Sequence, residues 1–320
     1  MTPEKSRLPE EIKKEAARLR SKGMVYAMIA WTLKQPYTTI HNFLNTEEGL
    51  SMLGAASGET GVPNLLFFDV EVMASLVLAF PRFKANISPD AVIEEPYMLT
   101  YAGAWGDGEV FSSKLTDYPD FDFEPKSDYN LICSVWELLD KADIVIAHNA
   151  KFDKGWFNQR CAYWGMEPPS PYKLICTLKE VRKAFNLPAN SLKAVTKYFE
   201  LTDKLDSGGI ETWTRIYHGD RTAFDDMEEY NIGDIPTLRQ VYRTVLPFMT
   251  SHPNLALYYQ DDVERCYKCG STDLSETGKS TYTGASKFEL TKCNNCGSHN
   301  SRKTNTLSKE KRKNLNRATI

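Results

Sequence analysis

No apolar run in the 320 residues approaches the ~18 residues of a membrane-spanning helix, which argues against a helical integral membrane protein. The opening Met1-Thr-Pro-Glu-Lys-Ser-Arg7 lacks the apolar segment of a secretion signal, so a cytoplasmic location is expected. There is no internal repeat, which excludes a solenoid or propeller. There is also little net charge, −3 at pH 7. Finally, the short helix-like segment Thr38-Thr-Ile-His-Asn-Phe-Leu44 has no lysine or arginine.

Hydrophobic content of 42% with 25% charged residues fits a soluble globular protein. The small net charge conceals an uneven distribution. Residues 63–251 hold 28 acids and 19 bases, a balance of −9. Residues 1–50 balance at +2, and the last 20 residues hold seven bases and one acid, +6. An acidic core suited to cations is thus flanked by segments that can meet phosphate, although basic tails are often only solvated.

The pattern divides the chain into modules. Residues 1–46 read as helical, with Tyr26, Ile29, Ala30 and Leu33 at helical spacing before a turn at Gln35-Pro36. Residues 47–62, with Gly49, Gly54, Gly58 and Gly61, read as a linker. Residues 63–250 alternate strand-like and helix-like stretches. Leu65 to Val72 suits a strand buried on both faces. Tyr97 to Ala104 and Glu109 to Ser112 read as a hairpin around Gly106-Asp-Gly108. Helices are expected at 133–141, 153–164, 177–186, 191–199, 222–232 and 235–246. The expected class is α/β with a mixed sheet. Residues 251–264 connect to a cysteine module at 265–300, and 301–320 form a basic tail expected to be disordered.

Four carboxylates stand in or beside apolar runs, where a bare charge is costly. Asp69 and Glu71, at i and i+2 of a strand, share one face. Asp153 follows His148-Asn149 at a strand-to-helix junction, a natural ligand position, though a helix N-terminal acid favoured by the dipole would look alike. Tyr230 and Asp234, at i and i+4, share a helix face. Glu228 and Glu229 are expected in solvent, and Pro236 is expected to end or kink the helix.

In this order, the three segments resemble the DEDD 3′→5′ exonucleases of the ribonuclease H-like superfamily. The resemblance covers roughly 63–246, including His148-Asn149, Leu174-Ile-Cys-Thr177 and Asn190-Ser-Leu192. Tyr230, four residues before Asp234, places the chain in the tyrosine subgroup. The residue after the first Glu is often Thr or small in that family, and here it is Val72. The resemblance implies a ribonuclease H-like mixed sheet flanked by helices and a two-metal site for Mg²⁺ or Mn²⁺. By it, Asp69 would bridge both ions, Glu71 and Asp234 would bind one, and Asp153 the other. Tyr230 would orient the attacking water, and His148 and Asn149 would lie near the nucleic acid, although His148 also reads as a satisfied buried histidine.

Cys266, Cys269, Cys293 and Cys296 form two Cys-x-x-Cys-Gly turns, the spacing of a structural Zn²⁺ site in a zinc ribbon. Cys133, Cys161 and Cys176 read as small buried hydrophobes. Residues 24–45 resemble a helix-turn-helix of the resolvase or sigma-factor type. Ala30, Leu33, Ile40 and Leu44 would pack it, while Tyr37, Thr38, Thr39, His41 and Asn42 would face DNA. A helical hairpin used for docking fits the same pattern.

The expected function is metal-dependent 3′→5′ exonuclease action on nucleic acid, DNA before RNA. The three-part layout looks like phage-type replication or repair nucleases, which implies a host cytoplasm and a replication or repair partner. Alternatives are an RNA-end or junction nuclease of the same chemistry, and a non-catalytic sequence-specific DNA-binding protein.

Overall fold

The computed structural model describes residues 8–21, 26–52, 62–80, 86–201 and 209–316. Gly23, the linker glycines Gly54, Gly58 and Gly61, and the last four residues lie outside these. Four helices open the chain: α1 (Glu10–Ser21), α2 (Tyr26–Thr32), α3 (Tyr37–Leu44) and α4 (Glu47–Met52). Ala16, Ala17, Ile29, Ala30, Ile40 and Leu44 bury their apolar faces together. Helix α4 occupies the first six positions of the expected linker. A Cβ at Gly49 would sit 2.2 Å from Phe43 O, so glycine is what lets α4 close against α3.

The central domain holds β1 (Leu65–Val72), the short pair β2 (Leu76–Val77) and β3 (Val92–Glu94), the hairpin β4 (Met98–Trp105) and β5 (Val110–Lys114), then α5 (Tyr129–Lys141) and β6 (Ile144–Ala147). After these come α6 (Lys151–Tyr163), β7 (Lys173–Cys176), α7 (Thr177–Ala184), α8 (Leu192–Tyr198), α9 (Ile210–Tyr217) and α10 (Arg221–Val245). Five strands form one sheet in the order β5-β4-β1-β6-β7. Strand β4 runs antiparallel to β1 and β5, while β6 and β7 run parallel to β1. This mixed sheet, flanked by helices, is compatible with a ribonuclease H-like fold.

Strand alternation sends the two faces of β1 to different cores. Leu66, Phe68 and Val70 pack with Leu131, Val135 and Phe157 on one side. Phe67 packs with Ile235, Leu238 and Val241 of α10 on the other. Asp69 and Glu71 share the face of Phe67, and so look toward α10. The two helices expected at 222–232 and 235–246 are one, α10, which runs through Pro236. Asp220 caps its start by accepting from Thr222 N. Glu228 is not solvated as expected: it accepts from Ser112 Oγ at 2.6 Å and pairs with Lys114.

The helical module is anchored on α5 by one buried carboxylate. Glu137, 4% exposed, lies 3.2 Å from Arg20 Nη1. It also accepts from Tyr26 N at 3.1 Å and from the Tyr37 hydroxyl at 3.3 Å. Tyr37 is therefore turned to the core rather than to DNA.

The last module is a three-stranded antiparallel sheet of β8 (Leu274–Thr283), β9 (Ser286–Cys293) and β10 (His299–Ser301), in the order β10-β9-β8. The start of the expected disordered tail is ordered against it. Arg302 pairs with Glu264, Glu276 and Glu289, Thr306 N donates to Lys287 O, and a short helix, α11 (Lys309–Lys313), follows. Lys268 Nζ joins this module to the core by donating to Leu246 O and Pro247 O at 3.0 and 2.8 Å. No helix among the described residues is long and apolar enough to cross a membrane.

Candidate active site

Asp69 and Glu71 from β1 meet Asp234 from α10 with one carboxylate oxygen from each lying within 4.8 Å of the others. Two strand positions and one helix turn thus focus three negative charges on one point. Like charges this close oppose one another's ionisation unless a cation lies between them. Asn231, which is fully buried, donates from its side-chain amide to Asp69 Oδ2 at 2.7 Å and so fixes one oxygen of the group.

Asp153 lies beside this triad rather than within it. It sits in the first turn of α6 and is 4% exposed. Its Oδ1 accepts from Val70 N at 3.3 Å, between the two acids of β1. Its Oδ2 is buried with no hydrogen-bond partner, an expensive state for an oxygen that nothing coordinates. Burial pushes the Asp153 carboxyl up to about 7, with its own and the Val70 N–H groups pulling it down and Glu71 pushing it further up. Three convergent carboxylates and a fourth with an orphaned oxygen are hard donors, and they fit a divalent cation of the Mg²⁺ or Mn²⁺ type.

These groups line a cleft of about 420 Å³ that also includes His148, Asn149, Phe152, Arg182, Asn190 and Tyr230. The half-buried Tyr230 lies one helical turn before Asp234 and faces the same space. His148 lines the wall without a ring nitrogen to spare. Its Nε2 donates to Asn190 O at 2.9 Å, and Nδ1 is 2.9 Å from Thr177 Oγ1. Asn149 takes φ +65° at the turn into α6, a conformation that asparagine tolerates better than most side chains. Sequence reasoning missed Asn231, Phe152 and Arg182. For Asn231 the available signal was an amide set three positions before Asp234.

The four cysteines converge as expected from their spacing. All four sulfurs lie within 4.8 Å of one another, with Cys266 to Cys296 at 3.6 Å and Cys269 to Cys293 at 3.5 Å. Four sulfurs ~2.3 Å from a tetrahedral zinc would stand ~3.8 Å apart, so the set fits that ion. The two turns are alike: Gly270 N donates to Cys266 O and Gly297 N to Cys293 O, with φ of +71° and +76° at the glycines.

The residues expected to face DNA are divided by the structure. Thr38 and Asn42 are exposed and Thr39 is half-buried. His41 is packed edge-on to Tyr26 at 5.0 Å and stacked on Tyr37 at 5.6 Å.

No protein-family model matches the chain, and no curated protein matches it. Among solved structures, the Mos1 strand transfer complex matches over 77% of this chain and 78% of its own, at 12% identity with a TM-score of 0.17. A score of that size does not establish a shared fold.

Proposed function

We propose that the protein is a divalent-metal-dependent 3′→5′ exonuclease of the DEDD type, tyrosine subgroup, which hydrolyses phosphodiesters at nucleic-acid 3′ ends and releases nucleoside 5′-monophosphates. The observation that carries this reading is the convergence of Asp69, Glu71 and Asp234 within 4.8 Å on a cleft shared with Tyr230. Asp69, Glu71, Asp153 and Asp234 would hold two Mg²⁺ or Mn²⁺ ions. Such ions, when bound, supply Lewis-acid stabilisation and an activated water for in-line displacement.

The chain's own residues do the rest. Asn231 keeps Asp69 in one orientation. Tyr230 lines the cleft, where its hydroxyl would orient the attacking water. Arg182 brings a fixed positive charge to the mouth of an otherwise acidic site, where it would meet phosphate. The His148 ring, held at both nitrogens, gives the terminal nucleotide a rigid wall. Cys266, Cys269, Cys293 and Cys296 would hold one structural Zn²⁺ in a zinc ribbon, with no open position for catalysis. Thr38 and Asn42 are the exposed polar positions of α3, and they are the ones that would reach nucleic acid.

The test is a digestion time course on 5′-labelled single- and double-stranded DNA and on RNA, with Mg²⁺ and with chelator. Stepwise shortening from the 3′ end in Mg²⁺ alone is expected, with nothing from a folded Asp69→Ala protein. Equal rates for Asp69→Ala and wild type would overturn the assignment.

A further inference from the structure

A second cavity, of about 450 Å³, opens on the other side of helices α6 and α7. Neighbouring residues of these helices divide between the two spaces. Asn149, Phe152 and Asp153 line the acidic cleft, while Ala150, Lys151 and Lys154 line the second cavity. Likewise Leu178 and Arg182 face the cleft, whereas Lys179 and Lys183 face the cavity. The partition between the spaces is no thicker than these two helices.

The second cavity has the opposite electrical character. Four lysines and one glutamate are among its lining residues, in a domain whose balance is −9. The glutamate, Glu180, is spoken for. It is 6% exposed, pairs with Lys183 at 3.0 Å and accepts from Thr250 N at 3.3 Å. His252 also lines the space, but its Nε2 lies 2.8 Å from the Tyr242 hydroxyl and its Nδ1 donates to Pro253 O. Burial lowers its pKa, so it adds no charge. Lys151, Lys154 and Lys179 are exposed and have no carboxylate partner among the described residues. A surface where three of four lysines have no acid to neutralise them, in a hollow the size of a ligand site, is matched to phosphate oxygens.

We infer that this lysine-lined cavity binds the phosphate backbone of the substrate strand upstream of the 3′ end lying in the acidic cleft. The inference rests on the nuclease reading, because the cavity's neighbour is that cleft and Arg182 continues the positive charge into it. A free nucleotide offers similar chemistry. A strand is favoured because the lysines extend along two helices, over successive turns of α6 and α7, rather than closing around one point. Its role would be to hold the strand, so that affinity depends on length.

The experiment compares binding of a dinucleotide, a longer single-stranded oligodeoxynucleotide, a nucleoside 5′-monophosphate and inorganic phosphate, all without added Mg²⁺ or Mn²⁺ so that nothing is cut. Wild type and Lys151→Glu/Lys154→Glu are measured, with thermal unfolding as the control for folding. The wild type is expected to bind the longer strand tighter than the dinucleotide. The double variant should lose that advantage, and its dependence of log K on log salt should flatten by about 0.7 for each phosphate it no longer neutralises. The inference is overturned if the wild type has no length advantage, if the advantage survives in the variant, or if the monophosphate or inorganic phosphate loses as much affinity as the longer strand. Cleavage of the same oligonucleotide by wild type in Mg²⁺ is scored separately. Its absence would defeat the nuclease reading and leave the binding comparison legible.

Discussion

Asn231 Nδ2 and Asp69 Oδ2 are 2.7 Å apart, although their residues are separated by 162 positions in the chain. This bond ties α10 to β1 at the point where Asp234 meets Asp69 and Glu71. Residues that orient a metal ligand from outside typically contribute about 10- to 100-fold to affinity or activity. Asn231→Ala should therefore weaken Mn²⁺ binding and slow cleavage by about that factor while the protein stays folded. Calorimetric Mn²⁺ titration and the digestion assay would check this. Unchanged affinity would show that Asp69 needs no such restraint.

Asp153 predicts a pH dependence with a definite sign. In the folded, metal-free protein its carboxyl is raised to about 7, against ~3.9 for a free aspartate. Between these values the folded state holds a proton that the unfolded state has released. Metal-free stability attributable to this group should therefore be full below ~4 and decline as pH rises through about 7. A divalent cation must displace the same proton, so Mn²⁺ should bind more tightly at pH 8 than at pH 6, with protons released on binding at pH 6. Titrations in buffers of different ionisation enthalpy read both effects, and Asp153→Asn should remove the proton release.

If the four cysteines hold zinc, removing it should disturb more than the small sheet. Cys269 and Cys296 pack against the core that includes Tyr242, Val245 and Leu246, and Lys268 donates to the carbonyls of Leu246 and Pro247, just past the end of α10. Cys293→Ser, or a strong chelator, should unfold β8–β10 and speed amide exchange in the last turns of α10. Exchange mapped by mass spectrometry would check this. A zinc-free protein with unchanged protection at residues 238–246 would count against the coupling.

Glu137→Ala should release the N-terminal helices. It would take the carboxylate away from the buried Arg20, 8% exposed, and breaking a buried ion pair typically costs about 3–5 kcal/mol. Glu137→Gln keeps acceptors for Tyr26 N and Tyr37 and should cost less. Limited proteolysis should cut residues 8–52 from the alanine variant first. If both variants resist like wild type, the carboxylate is not the anchor.

Local rules made much of this architecture legible. The i, i+2 spacing of Asp69 and Glu71 put both on one face because strands alternate. The two Cys-x-x-Cys-Gly turns converged because each repeats the same hydrogen-bonded loop. The hairpin around Gly106-Asp-Gly108 formed where the glycines allow it, with Gly106 at φ +49°. What escaped was set by distant partners. Strand β7 is four residues long and gains its identity from pairing with β6. Pro236 did not break α10, because Ile235 and Leu238 are buried against the sheet on either side of it. Tyr37 and His41 looked like reading-helix residues. A glutamate 100 positions from Tyr37 turned that ring inward, and His41 followed by stacking on it.

The anchoring of the helical module has a geometric consequence. A module on a loose tether samples many positions, and its partner's effective concentration falls as the tether lengthens. Here Arg20, Tyr26 and Tyr37 converge on one carboxylate of α5, so α3 keeps a fixed bearing to the cleft. A partner gripped by Thr38 and Asn42 would therefore be presented to Asp69 at a set distance, as if by a ruler.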